Sequence, residues 1–192
     1  TMHPNAIKYM LRCFEVDEGF GAVGPSLVSP NGNDATSGYY QKAPSWLSVA
    51  LFSTFLRPYA MKHKLLVSWL YEYPDASFSQ DVEQVPGGCL MTSRHVLNRV
   101  GLLDEDFAIW FEDVEWCYRA RQKGYRLRLC AEAKVEHIGG KSFEQWQDLN
   151  KAVTFYVSMK TFFNKHKPFS GILVRLALIV NSLALYIKNK DG

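Results

Sequence analysis

Four cysteines among 192 residues form no C-x-x-C pair and no zinc-ligand spacing, which argues against zinc-ribbon and dithiol redox modules. Cys13, Cys89, Cys117 and Cys130 each sit among apolar neighbours, as small buried residues do, and are expected as free thiols in a reducing compartment. No 20-to-50-residue repeat and no low-complexity tract is present, so solenoids and disordered chains are not expected. A secretory leader pattern is lacking too. The chain opens at Thr1 in mid-phrase, as a piece of something longer would.

What is present suits one folded domain. The chain is 47% hydrophobic and 21% charged, enough to build a sizeable core. Its net charge of +3 is unevenly divided: residues 151–192 hold seven Lys and Arg against one Asp, leaving the body mildly acidic. A basic tail on an acidic body points to an anionic surface, with membrane headgroups fitting best. Nucleic acid fits poorly, because the tail's positive charge is interleaved with a long aliphatic run.

Periodicity sets the expected elements. Ile7, Met10, Leu11 and Phe14 form a helical stripe after Pro4, stopped by Gly19 and Gly21. "AVGPSLVSPNG" reads as a short buried strand with a turn at Pro30-Asn31-Gly32. Residues 44–73 carry Trp46, Phe52, Phe55, Tyr59, Trp69, Tyr71 and Tyr73 beside Arg57, Lys62 and Lys64. That segment reads either as a core helix or as an amphipathic element in a lipid interface. Val82–Val85 and Cys89–Met91 look like strand pieces broken by Pro86-Gly87-Gly88, and Ser93 is placed to cap a short helix ending at Gly101. A second helix closes at Gly124, and "YRLRLCAEAKVEH" alternates as a half-exposed strand does. From Phe143 to His166 the pattern is helical, with Trp146, Leu149, Val153 and Tyr156 as its apolar stripe. Phe169 to Ile187 holds one charge, Arg175; it reads as a buried helix or, on length and flanking lysines, as a membrane-contacting one.

The chemistry concentrates in "FAIWFEDVEWCYRARQKGYRL". Glu112, Asp113 and Glu115 occupy one turn between an aromatic run and a basic helix. Acidic residues belong in a helix's first turn on dipole grounds alone, worth about 0.3–1 kcal/mol. The preceding Ala108-Ile109-Trp110-Phe111 gives them a second meaning, because apolar surroundings raise a carboxyl's pKa toward the range of a general base. Gly87-Gly88 reads as a tight turn or as a place where a ligand approaches the backbone. His137, at a strand end, reads as structural or as a ligand.

The order of these signals resembles a known family. "VPGGCLMTSRHVLNRVGLLDEDFAIWFEDVEWCYRARQKGYRLRLCAEAKVEHIGG" looks like the C-terminal half of a family-2 glycosyltransferase of the rhamnosyltransferase-like kind. That family reads P-G-[AG]-C/F-L-x-x-R-R, G-x-F-D-E-x-F-F, E-D-x-D, G-Y and V-x-H-x-G-G in this order. "PNAIKYMLRCFEVDEGFGAVGPSLVSPNG" resembles the helix and strand that follow the family's Asp-x-Asp-type motif. Two departures stand out: Glu115 replaces the usual Asp of E-D-x-D and Trp116 follows it, and the nucleotide-binding half with its Asp-x-Asp-type motif is not in this sequence. Thr1 looks like the residue just after that motif.

The resemblance implies an α/β fold. It would be the C-terminal part of a GT-A fold with a mixed sheet over residues 1–143, followed by a helical, basic, membrane-associated tail over residues 144–192. It implies inverting transfer of a sugar, rhamnose among the candidates, from a nucleotide-diphospho-sugar donor to a glycan or lipid-linked acceptor in cell-surface polysaccharide synthesis. Asp113 would be the general base and Glu112 would position it or the acceptor. Gly87 and Gly88 would let a sugar lie against the backbone, Trp110 would stack on one, and Glu115 would touch the acceptor. Arg119 or Arg121 would reach phosphate. His137 would bind a divalent metal, Mg or Mn, with an aspartate from the absent motif. The expected location is the cytoplasmic, inner face of the cell membrane, reached through the tail, with residues 44–73 as a second candidate contact. The chain alone is expected to be inactive. The alternative is a catalytically inactive, membrane-associated interaction module derived from such an enzyme.

Overall fold

The computed structural model describes residues 1–36, 39–45, 62, 75–138, 148–169, 172, 175, 176 and 179. Most of the aromatic segment 44–73, Gly139-Gly140, Trp146 and most of the apolar stretch 169–187 lie outside the described residues.

Among the described residues eight helices and strands follow in order: α1 (Ala6–Val16), β1 (Phe20–Val28), β2 (Gln80–Val82), β3 (Met91–Thr92), α2 (Arg94–Val100), α3 (Glu112–Gln122), β4 (Arg126–Glu136) and α4 (Asp148–His166). The strands form a mixed four-stranded sheet in the order β2-β4-β1-β3. β1 and β4 run parallel, and the outer strands β2 and β3 are antiparallel to their neighbours. The chain is therefore a mixed α/β protein. Among the described residues no helix is long and apolar enough to cross a membrane.

The central strand explains the layering. β1 is buried along nearly its whole length, as expected of a strand covered on both faces. On one face Val23 and Leu27 pack with Ala6 and Met10 of α1 and with Cys130, Ala133 and Val135 of β4. On the other, Ala22, Leu127 and Leu129 meet Val96 and Val100 of α2 and Trp116, Cys117 and Ala120 of α3. Each fully buried Leu contributes about 1.5–3 kcal/mol by leaving water. Pro25 sits within this strand at a β-bulge, where the register jumps from Pro25 opposite Cys130 to Ser26 opposite Lys134. A residue without an N–H is tolerated at such an irregularity.

Sequence signals located several boundaries. Ser93 caps α2 through its Oγ, which accepts from the Val96 N–H at 3.2 Å, and Gly101 ends it with φ of 94°. Gly124, with φ of 85°, follows α3. Two expectations are corrected. The α1 stripe faces inward through Ala6 and Met10, while Ile7 and Leu11 are half-exposed at 51% and 50%. The strand pieces also shift: β2 ends at Val82, and Gly87–Cys89 forms a 3-10 turn before the short β3. Prolyl φ restriction and two side-chain-free residues favour that tight turn over extended pairing.

Candidate functional site

Asp113 stands in the first turn of α3 and faces the 3-10 turn from β2. Its Oδ2 accepts the Gly87 N–H at 2.8 Å, and its Oδ1 accepts the Val114 N–H at 2.7 Å. These bonds hold the carboxyl in one orientation. Burial pushes its pKa above the ordinary aspartate value, against the lowering effect of those same N–H groups and the Gln84 amide. The helix entry is backbone-strained: Trp110 and Phe111 have φ of 58° and 68°, a region unusual for bulky residues. Phe111 and Trp110 are braced by edge contacts to Phe155 of α4, at ring-centre distances of 5.4 and 6.0 Å. Strain held by surrounding packing is common where a side chain must be aimed.

Asp113 lines a cavity of about 260 Å³ together with Tyr39, Gln84, Pro86, Trp110 and Phe155. Gln41 and Pro44 line both this cavity and a larger groove of about 1140 Å³, which Arg121, Lys42, Tyr118 and Lys167 help to line. Glu112 is half-buried, and among the described residues its Oε2 has no hydrogen-bond partner. Burial and then the neighbouring Asp113 charge raise its pKa.

The paired glycines connect Asp113 to His137. A Cβ on Gly87 would stand 3.3 Å from Asp113 Cβ, and a Cβ on Gly88 would stand 3.0 Å from His137 Cε1. The space the glycines leave is thus taken by these two side chains. His137 is also held by its N–H, which donates to the Val28 carbonyl at 2.9 Å, and by an edge contact to Tyr39 at 4.7 Å. Just before it, Glu136 exchanges main-chain hydrogen bonds with Thr1, at 2.7 and 2.8 Å.

The structure brings Asp113, Trp110, Gly87, Gly88 and His137 into one neighbourhood with Glu112 beside Asp113, and places Glu115, Arg119 and Arg121 elsewhere. Glu115 is 1% exposed and turned into the protein. Arg119 Nε donates to its two oxygens at 2.8 and 2.9 Å, and His166 Nε2 lies 2.9 Å from Oε1. Arg119 also donates to the carbonyls of Val100 and Leu102. This pair therefore ties α3 to α4 and to the end of α2, which gives both residues a structural account. Arg121 opens on the larger groove and pairs with Glu83 at 3.2 Å. Sequence reasoning missed Gln84 and Tyr39. Gln84 immediately precedes the Val85-Pro86-Gly87-Gly88 run, yet burial of a lone polar residue leaves no pattern to read.

Among the described residues no group of three or more His, Cys, Asp and Glu side chains is placed to hold a metal ion. His137 alone does not make a divalent cation site, which takes several oxygen or nitrogen ligands. The described residues therefore do not fit a resident metal by themselves.

The fold and this neighbourhood define a mixed α/β protein with a buried, oriented carboxyl at a strand-end cavity. No protein-family profile matches the chain. Over 56 residues, 29% of this chain, it is 34% identical to the low-salt glycan biosynthesis hexosyltransferase Agl10 of Haloferax volcanii. The match spans 18% of that protein's length. It supports a glycosyltransferase-like relationship.

Proposed function

We propose that the chain carries the acceptor-side half of a sugar-transfer site, with Asp113 as the general base. The observation behind this reading is the carboxyl held between the Gly87 and Val114 N–H groups on a cavity wall, its pKa raised by burial. The partial likeness to a hexosyltransferase points the same way. Asp113 would take the proton from an acceptor hydroxyl as that oxygen bonds to the donor's anomeric carbon. The bond from that carbon to the diphosphate oxygen breaks, and the nucleoside diphosphate leaves with the electron pair. Attack from the face opposite the leaving group gives inversion. A base whose pKa lies nearer the working pH than a free carboxylate is better matched to this task. Trp110 offers an aromatic face for a sugar ring.

Further parts of the proposal rest on the family resemblance. The donor is a nucleotide-diphospho-hexose, rhamnose being one option, and the acceptor is a glycan or lipid-linked sugar. A divalent cation at His137 would neutralise the diphosphate, provided carboxylate ligands came from outside the described residues; Thr1 pairs beside His137, so a segment preceding it would supply them. Exposed Phe169, Ile172, Leu176 and Ile179 support contact of the tail with the inner face of a membrane.

The inactive-module reading has one observation in its favour. Gly87 and Gly88 give their room to Asp113 and His137, a packing that needs no ligand. The two readings separate in a transfer assay. The protein, with a nucleotide-binding half joined ahead of Thr1, is incubated with labelled nucleotide-diphospho-hexoses and membrane extract. Incorporation of label supports the enzyme; donor that stays intact with every extract supports the module.

A further inference from the structure

One face of α3 joins the Asp113 cavity to the larger groove. Val114 lines the cavity, while Tyr118, Arg121 and Gln122 line the groove; steps of three or four residues put them on one side of the helix. The groove, at about 1140 Å³, exceeds the range of about 300–1,000 Å³ usual for small-molecule sites, and the cavity, at about 260 Å³, falls below it. The groove wall suits hydroxylated rings. Tyr118 and Tyr125 give aromatic surface, and Gln41, Gln80 and Gln122 give amides that both donate and accept.

Its charges are met at one end and unbalanced at the other. Arg126 pairs with Asp17 and Asp81, and Arg128 with Asp81. Arg121 lies 3.2 Å from Glu83 Oε2, an oxygen that also accepts the Ala43 N–H at 2.9 Å. Lys167 Nζ donates to the Pro44 carbonyl at 3.3 Å and stands 5.7 Å from the centre of the Tyr118 ring; among the described residues it makes no ion pair. Burial and then the Arg121 charge push this ammonium below the ordinary lysine value, with Glu83 opposing. An anion reaching both cations would offset that cost through charge-assisted hydrogen bonds. Asp81 and Glu83 on the same wall favour a singly charged carboxylate over a phosphate carrying up to two charges.

We propose that the groove binds an acidic oligosaccharide, with a sugar carboxylate held by Arg121 and Lys167. With Asp113 as the base, on which the next step rests, this oligosaccharide is the acceptor: its terminal sugar enters the cavity and its inner sugars lie along α3. Arg121 follows Asp113 by about 12 Å of helix, farther than one pyranose ring reaches. The carboxylate therefore belongs to an inner sugar and not to the one that is glycosylated.

Calorimetric titration of the 192-residue chain at low salt tests this, with trimers of galacturonic, mannuronic and guluronic acid and their carboxyl-reduced counterparts. At least one acidic trimer is expected to bind, and reducing its carboxyls should weaken binding about five- to tenfold. Arg121→Gln and Lys167→Gln should each weaken the acidic trimer by that same factor and leave the reduced one unchanged. Lys8→Gln makes the same charge change on α1, across the sheet from α3, and should alter neither. Melting curves check that each variant folds; if one groove variant does not, the other decides. Equal binding of acidic and reduced trimers, or no binding of any trimer, overturns the proposal. So does an equal loss in Lys8→Gln. Inorganic phosphate and phosphatidylglycerol vesicles are titrated in parallel; binding of either through Arg121 and Lys167, with no acidic trimer bound, makes this a phosphate or headgroup site and also overturns it. No transfer occurs in these titrations, so their failure leaves Asp113 as the base untouched, and that assignment falls instead with an active Asp113→Asn enzyme.

Discussion

Gly88 approaches His137 so closely that a Cβ on the glycine would stand 3.0 Å from the imidazole Cε1, and Gly87 stands in a similar relation to Asp113 at 3.3 Å. The 3-10 turn is thus a spacer between the two groups, and the lack of side chains at its two glycines sets where both rest. Gly88→Ala should push the imidazole aside and destabilise the fold by about 1–3 kcal/mol, the usual effect of overpacking. Urea unfolding reads the loss, and the His137 Cε1–H chemical shift reads the displacement. An unmoved resonance would show that the turn yields instead.

Glu115 and His166 join distant parts of the chain through a contact of 2.9 Å. Arg119 completes the group by reaching two carbonyls at the end of α2. Removing the carboxylate leaves a partly buried guanidinium without its partner. Glu115→Ala should therefore lose about 3–5 kcal/mol in chemical denaturation. A loss below about 1 kcal/mol would mean that the network adds nothing beyond a surface pair.

Glu112 makes the opposite prediction. Burial and then Asp113 raise its pKa, so the folded state holds its proton more tightly than the unfolded one. Such a group contributes stability below its ordinary value of 4.5 and loses that contribution as pH rises through the raised value. Glu112→Gln should accordingly melt higher than wild type near pH 7, on a scale of about 2–4 °C per kcal/mol for a chain of this size. The gain should fade as pH falls below 4.5. Paired melting curves across pH test it; a variant less stable at neutral pH would give Glu112 a partner that the fold requires.

Burial pushes the thiols of Cys117 and Cys130 up to about 12, so neither is a thiolate at neutral pH. Cys13 and Cys89 are half-buried, and all four cysteines are free. Iodoacetamide at pH 8 should therefore leave Cys117 and Cys130 unmodified in the native protein and label all four after unfolding. Mass spectrometry of the digested protein resolves this. Rapid native labelling of Cys117 would show that the interface of α3 with β1 and β4 opens.

Legibility varied with how local the cause was. Ser93 and Gly101 bracket α2 because a cap and a left-handed stop act within one turn. The alternation of Leu127 and Leu129 with Arg126 and Arg128 marked β4 for a similar reason. α1 was harder: Ala6 and Met10 lie on one helix face and Ile7 and Leu11 on the next, and only the sheet beneath decides between them. The acidic turn showed the same limit. Three carboxylates within one turn look alike in sequence, yet Asp113 meets the cavity while Glu115 points inward to His166, a residue 51 positions away. Gln84 and Tyr39 stayed hidden because each is placed by tertiary packing alone.

The central claim concerns one carboxyl, and Asp113→Asn addresses it with the least structural change. In a protein with a nucleotide-binding half joined ahead of Thr1, sugar transfer and donor binding are measured for wild type and variant. Loss of the base should slow transfer by about 10²–10⁴-fold and leave the donor's dissociation constant unchanged. Transfer within tenfold of wild type would contradict the assignment and leave Asp113 as a cap for the glycine turn.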